Sequence, residues 1–156
     1  MSEQAARPAP EVHIADIVLP NQTNNYGTMI GGEVLALMDR AAGIAALQFC
    51  RQLVVTASTE RIDFRTPIQR GEIIEAVAKV IYVGRTSLIV RIHIYAEHAL
   101  VGDRRICTTG YFSMVALDGE GRPTPVPRLL LEDEAAQAEW VLGEEIRRVI
   151  DARRHR

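Results

Sequence analysis

The run NQTNNYGTMIGGEVLALMD, residues 21–39, gathers residue types suited to carbonyl chemistry. Asn24 and Asn25 bring side-chain amides into a turn-rich loop, Gly31 and Gly32 follow, and Asp39 lies further on. A glycine pair that opens a helix leaves backbone N–H groups free to polarise a carbonyl or hold an anion. A side-chain amide adds a donor beside them, and a carboxylate can serve as general base or nucleophile. Asp39 is the costly member, since an acid within an apolar helix needs hydrogen-bond partners to be kept there. A structural role, as a cap or a subunit contact, is the competing reading.

A helix has to space these groups. GGEVLALMDRAAGIAALQFC, residues 31–50, is rich in Ala and Leu and starts at the glycine pair, which predicts one long helix. Its apolar residues do not keep to one stripe, so burial on most sides is expected. At about 100° per residue, Gly32, Ala36, Asp39, Gly43 and Ala46 share a side, while Glu33 and Arg40 share another where they could pair. Gly32 and Asp39 lie about 10 Å apart along the axis, and donor and base must each come within about 3 Å of their reacting atoms. One subunit reaches both ends of a carbonyl poorly. The spacing therefore points to a site shared across a two-fold dimer, with the loop and glycines from one subunit and Asp39 from the other.

Around this helix the chain reads as strands. VHIADIVL (12–19) stops at Pro20, and four extended segments follow the helix: LVVTASTERIDF, EIIEAVAKVIYV, TSLIVRIHIYAE and RRICTTGYFSMVAL. The third has the clearest period of two, with Leu88, Val90, Ile92, Ile94 and Ala96 on one face and Arg91, His93, Tyr95 and Glu97 on the other. Short turns between the segments predict antiparallel hairpins. After DGEGRPTPVP comes a C-terminal amphipathic helix whose acids come early and arginines late, matching the helix dipole. Its charges read as a solvated face. The expected class is α+β, one sheet curling around one buried helix. A flexible tail is expected over residues 1–10, the domain proper over 11–127, and a helical extension over 128–156.

Composition narrows the function classes. A chain of 156 residues with 47% hydrophobic and 24% charged residues is one ordinary globular domain. A net charge of -2 without a basic stripe gives no nucleic-acid signature. Cys50 and Cys107 lack metal or redox spacing and read as buried thiols. His13 and His98 have no ligand-spaced partners, so no metal site is expected, and His93 sits on the polar strand face. The N-terminus lacks an apolar core of signal length and no run approaches a membrane span. A cytoplasmic protein without a membrane role is expected, which leaves the NQT sequon at Asn21 idle. No serine elbow, P-loop or dinucleotide fingerprint is present.

The segment TNNYGTMIGGEVLALMDRAAGIAA resembles the signature of the hotdog-fold acyl-CoA thioesterases, among them the bacterial cytosolic acyl-CoA hydrolases and the brain-type acyl-CoA hydrolase domains. The resemblance continues in FRTPIQRGE (64–72), VGRTS (83–87) and FSMVALDGEGRPTPVP (112–127), and spans about residues 12–127. It implies the hotdog fold, a five-stranded antiparallel sheet around a central helix, dimerised edge to edge and commonly assembled as a trimer of dimers, a hexamer. It implies hydrolysis of acyl-CoA to a free acid and CoA with no cofactor. The family's asparagine falls on Asn24, its helix acid on Asp39, and its helix-mouth glycine on Gly31 or Gly32. For CoA, Arg85, Thr86 and Ser87 stand at a hairpin tip, and Arg61 or Arg65 could meet phosphates. Many relatives have His or Phe where this chain has Ile30, which argues against a histidine-assisted variant. Two rivals remain: a hotdog dehydratase, which would need a histidine near the helix mouth, and a non-catalytic acyl-CoA-binding protein.

Overall fold

A computed structural model describes residues 5–155. In chain order it contains β1 (Val12–Ile17), α1 (Gly31–Cys50), β2 (Leu53–Phe64), β3 (Ile73–Val83), β4 (Ser87–Glu97), β5 (Arg105–Leu117) and α2 (Glu134–Arg154). The five strands form one antiparallel sheet in the order β1-β3-β4-β5-β2. This is the expected α+β hotdog arrangement. The first strand ends two residues short of the segment that Pro20 was expected to close, and the C-terminal helix begins later than its sequence pattern, behind the cap of Asp133 on the Ala136 amide.

The alternation along β4 settles which sheet face meets α1. Leu88, Val90, Ile92, Ile94 and Ala96 are all buried and pack with Met38, Phe49 and Phe112. Ala41, Ala42, Ala45 and Ala46 give α1 a side thin enough for the sheet to curl close to it. Arg51 takes the left-handed conformation that ends α1 and turns the chain into β2.

Burial of α1 is not complete. Ala36, Asp39, Arg40, Ile44 and Leu47 form an open stripe on the single chain, whereas Ala46, expected beside Asp39, is wholly buried. An α-helix drifts about 20° per seven residues, enough to rotate Ala46 out of the Asp39 stripe and into the core. β2 is a sheet edge next to this stripe and exposes Leu53, Val55 and Phe64. Such an edge is a template for pairing with another strand.

α2 lies on the other face of the sheet. Ile146 and Ile150 pack on Ile81 and Ile89, flanked by Tyr82, Tyr111 and Leu142. Gly143 lets the helix approach so closely that a Cβ there would overlap the Cβ of Tyr82. The charges of α2 do not form the purely solvated face expected of them. Glu139 pairs with Arg91, Glu145 with Arg61 and Arg153 with Glu60, while Arg147 reaches the hydroxyls of Ser87 and Ser113. These contacts bind helix to sheet. The tail expected over 1–10 is also tied down within its described part: the Arg7 amide donates to the Arg128 carbonyl, and its side chain to that of Phe49. Residues 1–4 and 156 lie outside the described residues.

Candidate active site

The loop before α1 is built around Asn24. Its backbone N–H donates to the Thr28 carbonyl at 2.9 Å and its carbonyl accepts from the Gly27 amide at 3.1 Å, closing a turn that Gly27 completes with φ of 80°. The Asn24 side-chain oxygen accepts from the amides of Tyr26 and Thr28, and Nδ2 donates to Thr28 Oγ1 at 2.7 Å. An amide nitrogen carries two protons, so one donor remains on a side chain whose direction is already set. Asn25 occupies the turn itself.

A second loop braces the first. The Met29 amide donates to the Ile68 carbonyl, the Arg70 amide to that of Gly27, and Thr28 bridges to Gln69. Glu72 secures this second loop from below. Its buried carboxylate accepts from the Gln69 amide and from both terminal nitrogens of Arg105, each at 2.7 Å. The Arg105 bond holds the Glu72 carboxyl below the usual carboxylate range.

At the mouth of α1, the Ile30 carbonyl accepts from the amides of Glu33 and Val34. The amides of Gly31 and Gly32 have no acceptor among the described residues, as the first turn of a helix requires. A Cβ on Gly31 would touch the Phe64 ring at 3.6 Å, whereas Gly32 faces open space. Gly31 opens on a cleft of about 380 Å³ walled by Val34, Phe64, Ile68 and Arg65, with Thr108 beneath. Free donors thus adjoin an apolar space of ligand size.

Asp39 stands further along α1 on the open stripe, so the expectation of a costly buried acid does not hold for the single chain. Its Oδ1 accepts from Thr56 Oγ1 of β2 at 2.6 Å, which orients the carboxylate and leaves Oδ2 available. Thr56 was missed in the sequence, where a threonine in a strand is unremarked. Thr108 was missed for the same reason. Glu33 and Arg40 form no ion pair among the described residues.

The arginine candidates separate. Arg65 is at the cleft rim and has no ion pair among the described residues. Arg61 sits at an irregularity of β2 with φ of 51° and pairs with Glu145 of α2. Arg85, Thr86 and Ser87 lie at the far end of the sheet: Ser87 pairs with Val115 near the Leu53 end of β2, whereas Thr108 pairs with Phe64 at the cleft end. Ser87 Oγ accepts from Arg147. His93 bonds Thr109 Oγ1, and burial followed by the charge of Arg91 pushes its pKa down. Among the described residues no histidine lines the cleft.

Comparison with known proteins identifies relatives of the chain. A thioesterase superfamily model matches residues 26–102. The chain is 38% identical to the uncharacterized acyl-CoA thioester hydrolase YkhA of Bacillus subtilis, over 75% of this chain and 68% of that one. An acyl-CoA hydrolase from Staphylococcus aureus, solved with butyryl-CoA and CoA, superposes with a TM-score of 0.86 at 33% identity, covering 92% of this chain and 88% of that one. A hexameric acyl-CoA thioesterase in its apo form superposes with a TM-score of 0.90 at 30% identity, over 96% and 97% of the two chains. Alanine variants of the Staphylococcus enzyme have been solved at an asparagine, an aspartate and a threonine whose sequence spacing equals that of Asn24, Asp39 and Thr56. From the helix mouth to the sheet that encloses it, the chain belongs to the thioesterase superfamily.

Proposed function

We propose that the protein is a cytoplasmic acyl-CoA thioesterase that hydrolyses the thioester to a free acid and CoA at a site shared by two subunits. One observation carries the reading: the unpaired Gly31 amide, with that of Gly32 next to it at the helix mouth, adjoins a largely apolar cleft at the Phe64 end of β2, while the oriented Asp39–Thr56 pair stands toward its other end. Antiparallel pairing of two β2 edges sets the Thr56 end of one strand against the Phe64 end of the other. The donors of one subunit then face the carboxylate of its partner. The same pairing carries the partner's hairpin at Arg85, Thr86 and Ser87 toward this cleft. Arg65 at the rim, rather than Arg61 beneath α2, is the better placed of the two for a CoA phosphate.

In this mechanism the Gly31 and Gly32 amides and the free Asn24 N–H take up charge developing on the thioester oxygen. Asp39 Oδ2 removes a proton from water as it attacks, or adds to the carbonyl itself to form an anhydride that water then opens. Collapse of the intermediate expels the CoA thiolate, a good leaving group, so neither a strong general acid nor a metal or redox cofactor is required. The assembly is at least a dimer, with a trimer of dimers as the fuller form. Absence of a cleft histidine speaks against a dehydratase.

Thiol release from a panel of acyl-CoAs tests the activity, and no turnover of any of them would leave a binding protein as the answer. Mixing Asn24→Ala and Asp39→Ala subunits tests the sharing. Each variant alone is expected to be inactive, and subunit exchange should restore up to about half of the wild-type sites in the mixed dimers. Proven exchange with no recovery refutes a shared site.

A further inference from the structure

The cleft is lined by two threonines that the mechanism above leaves without work, Thr66 at the half-buried rim and Thr108 in the buried wall. Thr108 is 1% exposed and pairs with Phe64 on one side and Ile94 on the other, which puts its side chain on the core face of β5. It lines the cleft with Met29, Val34, Phe64 and Ile68; its hydroxyl makes no hydrogen bond among the described residues, and it is not sealed inside the protein as the unpartnered Ser58 Oγ and Arg91 Nε are. Valine has the same shape, suits a strand as well and has no hydroxyl to strand when an apolar group fills the cleft. The Thr108 hydroxyl instead opens on the space beside the free Gly31 amide, where whatever fills the cleft decides whether it is paired.

We propose that this cleft receives the acyl group and that Thr108 selects acyl groups bearing a hydrogen-bonding oxygen close to the thioester, such as a β-hydroxyl, over plain alkyl chains of equal length. The proposal rests on the thioesterase reading. A plain alkyl chain seals the Thr108 hydroxyl from solvent and leaves it unpaired. A β-hydroxyl supplies the missing partner in the same volume. Sites built around a hydrogen bond to the substrate reject the analogue that lacks it, because their own polar group is left stranded.

The test compares kcat/KM for butyryl-CoA with β-hydroxybutyryl-CoA, and hexanoyl-CoA with β-hydroxyhexanoyl-CoA, in wild type and Thr108→Val. Wild type should favour the hydroxyacyl member of each pair by about tenfold, the worth of one hydrogen bond. Thr108→Val should erase that preference by losing activity on the hydroxyacyl substrates and gaining it on the plain chains, and its Tm should be unchanged or higher. A wild type that favours the plain chains overturns the proposal. So does a hydroxyl preference that survives in Thr108→Val. A variant with lower Tm and a parallel loss on both classes makes the hydroxyl structural and also overturns it. If wild type turns over no thioester in either pair or in the wider panel, the thioesterase reading fails and takes this selectivity with it.

Discussion

Glu72 has only 4% of its surface exposed, yet its carboxylate carries three hydrogen bonds of 2.7 Å that join β5 to the loop bracing Asn24. Replacing it with glutamine keeps the side chain's shape and an acceptor for the Gln69 amide. What is lost is the charge facing Arg105 and one half of a bidentate pair. Hydrogen bonds to charged groups contribute about 1.5–3 kcal/mol, and removing one partner of a buried pair costs about 3–5 kcal/mol. Because glutamine still accepts and Arg105 is partly exposed, the lower part of that range applies, about 2–3 kcal/mol. For a chain of this size that corresponds to roughly 5–10 °C in Tm.

The pH dependence gives the sharper check. The Arg105 bond lowers the Glu72 carboxyl below its ordinary value of 4.5. A depressed folded-state pKa means that the unfolded chain binds the proton first, so stability falls as the pH drops. The contribution is fully present above about pH 4.5 and is lost as the pH falls through the folded-state value beneath it. Urea unfolding of wild type and Glu72→Gln at pH 7 and again near pH 3.5, at matched protein concentration, should show a wide gap that narrows in acid. A gap under about 0.5 kcal/mol at pH 7, the size of an ordinary surface change, would refute the clamp. A gap that stays constant on acidification would refute its electrostatic origin.

Two further outcomes follow from single contacts. Thr56→Val removes the bond that orients Asp39; kcat should fall roughly ten- to hundredfold, the worth of one charged hydrogen bond, with KM and Tm little changed, and an unaltered kcat would deny the pair a part in the reaction. Gly143→Ala forces a Cβ into Tyr82 and should destabilise the protein by about 1–3 kcal/mol despite the roughly 1 kcal/mol gain in helix propensity. Thermal unfolding checks the sign, and a higher Tm would mean that α2 can shift without cost.

The parts of this molecule that sequence discloses are those whose physics is local. β4 could be read because alternate residues meet opposite environments, and α1 because a glycine pair and an alanine-rich stretch have few other uses. Asn24, Gly31, Gly32 and Asp39 attract notice through residue type and spacing alone. Contacts between distant segments leave no such trace. Thr56 becomes significant only when the fold lays it against Asp39, and Thr108 only when its neighbours prove to line a cleft. The arginines of α2 look solvated on a helical wheel, yet Arg153 meets Glu60 and Arg147 meets Ser87 across long stretches of chain. Arg61 and Arg65 are near neighbours in sequence, and only the fold separates one beneath α2 from one at the cleft.

Asp39 shows most clearly how a residue's meaning depends on the unit considered. Counted on a helix that is apolar all round, it looks like an acid forced into a core. In the single chain it is exposed, but its stripe includes Ile44 and Leu47 and adjoins the open β2 edge with Leu53 and Val55. A surface combining exposed apolar side chains with unpaired strand amides is one that association removes from water. On the proposed reading, the step that buries these residues also brings Asp39 to its partner's glycine amides. Exclusion of water strengthens each polar contact at the carbonyl. The isolated subunit then has the donors and the carboxylate on one helix but too far apart to share a thioester, and pairing supplies the missing half of two sites at once.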